Sequence, residues 1–327
     1  MAATSEVTYL EAIKQGMREE MQRDQSVYIL GEDVGVYGGA FKVTAGLLDE
    51  FGPLRVIDTP LSESAIVGAA VGSALMGQRP IAEMQFMDFI ACGFDQIVNM
   101  AAKLHYRNGM AVPMVIRGPS GGGVHGGPFH SQNPEAWFIH CPGLKVVAPG
   151  SALDAYGLIK AAVRDDNPVL FFEHKYLYRR LKTELPAEDY IIPIGEARVV
   201  QEGADMTIYT YGWMVEQSLA AAAELADEDV SVEVIDLRTL LPLDREAILR
   251  SIAKTSKALI VHEDTRTLGV GAEVAAILAE EAFDMLDGPI MRVTAPDTPV
   301  PFSPPLEQAF LPNTEKIVAA ARQLAAY

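Results

Sequence analysis

The chain has 327 residues, of which 49% are apolar, and its 26 basic and 44 acidic side chains leave a net charge of −18. That length and apolar content suit two cores, and the acidic balance argues against a nucleic-acid backbone as the main partner while leaving a basic protein partner open. The two cysteines, Cys92 and Cys141, form no CxxC pair and point to a reduced compartment.

The N-terminal "MAATSEVTYLEAIKQ" lacks a basic region followed by an apolar one, so no secretory signal is expected. Thr8 and Glu11 have the spacing of a capping box. Leu10, Ile13, Met17 and Met21 follow on one helical face. "VYILGEDVG" reads as a buried strand running into two carboxylates, Glu32 and Asp33. After "RVIDTP" comes "DTPLSESAIVGAAVGSALMG", residues 58–77, where Glu63 heads a run of small apolar residues. The charge-free part, residues 65–76, is too short to span a bilayer, so a cytoplasmic protein without a membrane partner is expected.

"RPIAEMQF" and "VPMVIRGP" read as strands and "FDQIVNMAAKLHYR" as a helix. The second strand leads into the Gly-rich "SGGGVHGGPFHSQN". Asn133, Pro134 and Glu135 have the order of cap, first turn and dipole partner. "LKVVAP" and "PVLFFEH" supply two more strands. This alternation predicts a mainly parallel sheet covered by helices on both faces. "LPAEDYIIPIGEARVV" is rich in Pro and acid and reads as a crossing segment, after which the alternation restarts with "MTIYTYG", "SVEVIDL", a helix from about Asp244, "KALIVHED" and "IMRVTAP". The expected fold class is therefore α/β, with domains at 1–185 and 195–327 joined by a linker at 186–194.

Ligands of open parallel sheets bind beyond the C-terminal ends of strands. Glu32, Glu63 and the Gly-rich loop would all fall on that edge. Taken alone, Glu63 is a helix-start acid favoured by the macrodipole and preceded by a Ser62 cap. Its small neighbours also allow a buried acid set against a ring nitrogen for proton sharing. The loop is no Walker motif. Its His125 and His130, without a third ligand, make a poor zinc site; acid–base work or no role are the alternatives. "TLGVGAEVAA" matches a dinucleotide fingerprint imperfectly and reads as a helix entry, so a nicotinamide-dependent oxidoreductase rests on little. "RDDNP" is a turn whose oxygens could ring a hard cation.

Several collinear stretches together resemble one family. They are "LGEDVGVYGGAFKVTAGL", "DTPLSESAIVGAAVGSALMGQRPIAEMQFMDF", "RGPSGGGVHGG", the run from "HSQNPEAWFIHCPG" to "FFEHKYLYR", and "VEVIDLRTLLPLD". The chain is similar to the beta subunits of the thiamine diphosphate-dependent, decarboxylating component of 2-oxo acid dehydrogenase complexes. The branched-chain type is most similar, and the pyruvate and acetoin types are close. The resemblance implies a transketolase-like fold, with a pyrimidine-binding domain followed by a smaller C-terminal α/β domain. It implies that Glu63 contacts N1′ of the cofactor aminopyrimidine and activates it. Gln85 and Phe89 would line the pyrimidine cleft, Leu61 would lie beside Glu63 against the cofactor, and Glu32 would join a proton network there. His130 would position the 2-oxo acid intermediate or the incoming lipoyl group. A structural potassium ion is implied near Met114, Ala162, Asp165 and Asn167, largely through carbonyl oxygens.

The family's diphosphate and magnesium motif begins Gly-Asp-Gly, and this chain has no such run. The resemblance therefore implies that magnesium and the diphosphate belong to an alpha subunit in an alpha2beta2 heterotetramer. It also implies docking of the acidic C-terminal domain on an acyltransferase core with lipoyl and subunit-binding domains. The competing reading is a non-catalytic α/β interaction subunit that kept the fold.

Overall fold

The computed structural model describes residues 6–327; residues 1–5, the start of the domain expected from residue 1, lie outside the described residues. Two compact units are present. The first comprises residues 1–120 and 137–194 and the second residues 121–136 and 195–327. The Gly-rich segment thus belongs with the second unit, although the strand that leads into it belongs with the first.

In the first unit the capping box is formed. Glu11 N–H donates to the Thr8 hydroxyl, and the Glu11 carboxylate accepts from the Thr8 backbone, starting the helix Tyr9–Arg23. Its predicted apolar face, Leu10, Ile13, Met17 and Met21, is buried. A Cβ on Gly16 would lie 2.5 Å from the Ile159 side chain, so glycine lets this helix lie close against Ala152–Arg164. Arg164 ties the two helices by donating to both oxygens of buried Glu20.

Six parallel strands of this unit run in the order Lys145–Val147, Val169–His174, Val115–Ser120, Arg79–Glu83, Val27–Gly31 and Val56–Asp58. The chain passes from Val27–Gly31 to one neighbour, Val56–Asp58, and then crosses to the other, Arg79–Glu83. That reversal makes a switch point at the C-terminal end of Val27–Gly31. Gly31 is in register with Asp58 on one side and Glu83 on the other. The residues just beyond these three strands therefore stand at one level of the sheet edge.

The second unit has a five-stranded sheet in the order Met291–Ala295, Ala258–Thr265, Met206–Thr210, Val232–Asp236 and Arg198–Gln201. All pairs are parallel except the last, which is antiparallel. That edge strand begins inside the stretch read from sequence as a crossing segment. The helix entry at "LGVGAEV" is as expected, with Val270–Glu281 starting after Gly269. Its glycines have a packing reason: a Cβ on Gly269 or Gly271 would lie within 2.7 Å of the His262 ring.

No helix among the described residues is long and apolar enough to cross a membrane.

Candidate active site

At the switch point the first strand delivers Glu32, the second delivers Leu61 and Glu63, and the third delivers Gln85 and Phe89. All five belong to the first unit. Glu32 is the most deeply placed, 6% exposed. Burial raises its pKa, and the charge of nearby Glu63 raises it further, while a hydrogen bond from the Ser62 backbone opposes both. Its Oε1 is buried with no hydrogen-bond partner. A buried carboxylate oxygen lacking a donor is costly unless a ligand or partner supplies one.

Glu63 is the first residue of the helix Glu63–Leu75, as its position beside a helix N-terminus requires, but it is half-buried rather than enclosed. The buried acid expected at this spot is Glu32, one strand away. Ser62 precedes the helix without capping it. Its hydroxyl donates to the Pro60 carbonyl instead, at 3.1 Å. Gly93 lies against Val67 and near the Glu63 carbonyl, where a Cβ would stand 2.9 Å from the Val67 side chain. Gln85 donates to Asp33 at 3.0 Å, and Asp33 holds a left-handed φ of 58°. Phe89 packs edge-on against Phe86.

Leu61 is 80% exposed. Val36, Tyr37, Met76, Phe94 and Met100 of the same unit are also exposed. On the helix Glu63–Leu75 the small residues Ala65, Ala69 and Gly72 face outward along one side, and a Cβ on Gly72 would meet only open space. So many outward-facing apolar and small groups form a surface suited to covering by another chain.

His130 belongs to the second unit, in the loop from Gly121. The loop closes on itself where Gly121 N–H donates to the Gln132 carbonyl at 3.0 Å. Its partner histidine, His125, has its Nδ1 2.6 Å from the carboxylate of Glu307.

The four residues assigned by resemblance to potassium lie together in the first unit. Asp165 N–H donates to the Ala162 carbonyl, Val169 N–H to the Met114 carbonyl, and both nitrogens of Asn167 to Asp165 Oδ1. Two protein cations share the spot. Lys145 pairs with the Asp165 carboxylate, and Arg79 donates to the carbonyls of Val163 and Asp165 at 3.0 Å. Burial pushes the Asp165 carboxyl up, but Lys145 and Asn167 outweigh it and hold the group below its usual range. Carbonyl oxygens carry two lone pairs, so those of Met114 and Ala162 each keep one for a further ligand. Among the described residues no cluster of three His, Cys, Asp or Glu side chains could hold a metal ion.

Sequence spacing gave no sign of a buried acid cluster in the second unit. Glu135, read from sequence as a dipole partner, is 1% exposed and accepts a 2.8 Å hydrogen bond from the Tyr211 hydroxyl. Burial, with the Asp264 charge adding, raises its pKa to about 8, and burial likewise lifts Asp264 to about 7. His262, stacked on Tyr211, is pushed down to about 4 by burial and stays neutral. A carboxyl that binds its proton more tightly when folded stabilises the fold at low pH. That stability is lost as pH rises from the unfolded value, 4.5 for Glu135, through the folded one, about 8. Glu135→Gln keeps the acceptor for Tyr211 and removes this titration. Thermal melts of parent and variant at about pH 5 and about pH 8.5 should therefore show the variant's advantage growing with pH. An offset equal at both pH values would show that folding does not raise the Glu135 pKa.

Two family models match the chain in order, and the first of them spans residues 121–136 of the second unit as well. Residues 5–180 match the transketolase pyrimidine-binding domain and residues 195–317 the transketolase C-terminal domain. The fold is that of a two-domain transketolase-type protein. A solved split-gene transketolase shares it at a TM-score of 0.81, with 98% of each chain covered and 24% identity. At higher identity, the chain is 52% identical to the 2-oxoisovalerate dehydrogenase subunit beta of Bacillus subtilis, over 99% of this chain and 100% of the relative. It is 46% identical to the pyruvate dehydrogenase E1 subunit beta of Staphylococcus aureus, over 98% of each. The corresponding subunit of Rickettsia felis is 45% identical, with 98% of this chain and 99% of the relative covered. The chain belongs to the family of 2-oxo acid dehydrogenase beta subunits.

Proposed function

We propose that the chain is the beta subunit of a thiamine diphosphate-dependent, acyl-transferring dehydrogenase of branched-chain 2-oxo acids, active only with an alpha subunit. The observation that carries this reading is the acid pair at the switch point, with Glu32 buried and short of a donor and Glu63 at a helix head beside it. An aminopyrimidine fits such a place, because its amino group can donate to a lone acceptor and its ring nitrogen can share a proton with an acid.

Thiamine diphosphate, when bound, would supply the electron sink for cleavage next to the 2-oxo carbon. The chain's own residues would do the rest. Glu63 would hold and release a proton at its carboxylate, and Glu32, its pKa raised, would keep a second proton within the network. Gln85, Phe89 and Leu61 would orient the ring, and His130 would position the 2-oxo acid or the lipoyl group. The diphosphate and magnesium are assigned to the alpha chain because no Gly-Asp-Gly run occurs here. The exposed apolar and small residues of the first unit are the proposed alpha-chain contact in an alpha2beta2 assembly. The acidic C-terminal domain is the proposed dock for the acyltransferase core. Potassium is proposed to bind through the Met114 and Ala162 carbonyls, with Asp165 and Asn167 fixing the turn. The domain limits are proposed at 1–185 and 195–327, and the location as cytoplasmic.

The branched-chain reading is favoured by 52% identity against 45–46% for the pyruvate relatives, and pyruvate is the second reading. Turnover by the assembly reconstituted with its alpha chain, measured with 2-oxoisovalerate and pyruvate side by side, separates the two. Calorimetry tests the shared site. Thiamine diphosphate with magnesium should bind weakly to this chain alone and tightly after alpha is added. Tight binding by the isolated chain would overturn the shared-site reading.

A further inference from the structure

The Gly-rich loop of the second unit has the backbone of an anion-binding nest. Gly121, Gly123, His125 and Gly127 all take positive φ, between 60° and 82°. Such alternation turns successive N–H groups toward one concavity, which in other proteins receives a phosphate or similar anion. Here the concavity is already filled by the protein's own carboxylates. Gly123 N–H donates to Glu307 Oε1 at 3.1 Å, and His125 N–H is shared by both Glu307 oxygens at 3.2 Å. The His125 ring adds its Nδ1 to the same carboxylate at 2.6 Å. The neighbouring Gly122 N–H donates to Glu263. Both carboxylates are buried, Glu307 at 1% exposure and Glu263 at 4%.

Apolar contacts from the same C-terminal stretch complete the seat. A Cβ on Gly127 would lie 2.4 Å from the Phe302 ring, and one on Gly122 would lie 3.1 Å from Leu311. Phe302, Glu307 and Leu311 flank and form the short helix Pro304–Phe310. One ten-residue stretch thus meets the loop at both ends of its glycine run, more than 170 positions away in sequence. Removing the Glu307 carboxylate would leave two backbone donors and an imidazole without their acceptor, and the positive-φ backbone would lose what selects it.

We propose that Glu307 is a positioning residue of the site: its carboxylate clamps the Gly-rich loop and so sets where His130 stands. The catalytic part of this inference rests on the role proposed above for His130; the clamp itself does not.

The test uses the reconstituted alpha–beta assembly with Glu307→Ala, Glu307→Gln, His130→Ala and the double variant Glu307→Ala/His130→Ala. Amide hydrogen exchange at residues 122–125 should speed up at least about tenfold in Glu307→Ala, with Glu307→Gln, which keeps one acceptor oxygen, in between. Cofactor affinity by calorimetry should change by less than about twofold. The kcat should fall by up to about a hundredfold, the scale of a misplaced catalytic group. Since Glu307 acts through His130, the double variant should be no slower than His130→Ala alone. Unchanged exchange in the loop of both Glu307 variants would overturn the clamp. Multiplying losses in the double variant would overturn the link to His130 and leave Glu307 a general structural residue. Wild-type turnover by His130→Ala would instead overturn the role proposed for His130, and with it any effect of the clamp on catalysis, while the exchange result would still decide the clamp. If Glu307→Ala fails to assemble, Glu307→Gln carries the same three measurements.

Discussion

Glu63→Gln should lower turnover of the reconstituted assembly by about 10²–10⁴-fold, the contribution of a positioned acid–base group. The substitution keeps the shape and hydrogen-bonding reach of the side chain and removes its capacity to share a proton. Loss of a negative charge at a helix start should cost about 0.3–1 kcal/mol, so the fold should survive. Cofactor affinity should fall little, because the substitution leaves the neighbouring Gln85, Phe89 and Leu61 side chains in place. The loss should therefore appear in kcat, with KM for the 2-oxo acid nearly unchanged. Glu63→Asp should recover little, since shortening by one methylene withdraws the carboxylate from a fixed ring. A decarboxylation rate within about threefold of wild type in Glu63→Gln would remove Glu63 from proton transfer and leave it as a helix-start acid.

The parts of this architecture legible in the sequence are those set by local chemistry. The capping box at Thr8 and Glu11, the buried stripe of the first helix and the Asp244 cap at Ala247 N–H follow from spacing within a few residues. The strand–helix alternation likewise gave the parallel sheets. What was not legible depends on long-range neighbours. The depth of Glu32 comes from strand order and from the register of Gly31 with Asp58 and Glu83. Asn133-Pro134-Glu135 has the spacing of a helix start, which does not tell that Tyr211 and Asp264 stand beside Glu135. The predicted helix at "FDQIVNMAAKLHYR" has a π-turn at Gln96–Ala101 before becoming α-helical at Ala102–Asn108. Its composition gives no warning of that extra residue per turn. The seat of the Gly-rich loop was also hidden, because nothing in the short helix Pro304–Phe310 signals that its single acid, Glu307, meets a loop more than 170 positions away.

The second large effect concerns stability. Arg117 is 1% exposed, and its guanidinium donates to Glu83 from one side and to both oxygens of Glu173 from the other. Tyr178 adds a 2.6 Å hydrogen bond to Glu173. The three charged residues sit on adjacent strands, Arg79–Glu83, Val115–Ser120 and Val169–His174, at the centre of the first sheet. Burial opposes the Arg117 charge, but Glu173 and Glu83 outweigh it and hold the group well above its usual range. Burial pushes Glu83 up, and Arg117 only partly offsets that. Arg117→Met would leave two carboxylates in the sheet without their cation, and breaking a buried pair in this way costs about 3–5 kcal/mol. Arg117→Lys should fare nearly as badly, since one ammonium cannot span two carboxylates as a planar fork does. The loss in Arg117→Met should grow as pH rises, because burial already pushes the Glu83 carboxyl up and its protonation at low pH is the escape from an unpaired charge. Adding Glu83→Gln and Glu173→Gln to Arg117→Met should restore part of the lost stability by removing both stranded charges. Urea unfolding of the parent, the single variant and the triple variant at two pH values measures each step. A loss under about 1 kcal/mol for Arg117→Met, flat with pH, would mean that water or a backbone shift already compensates the buried charges. A loss of the expected size would also disturb the candidate site, because Glu83 ends the strand whose register with Gly31 sets the level of Glu32.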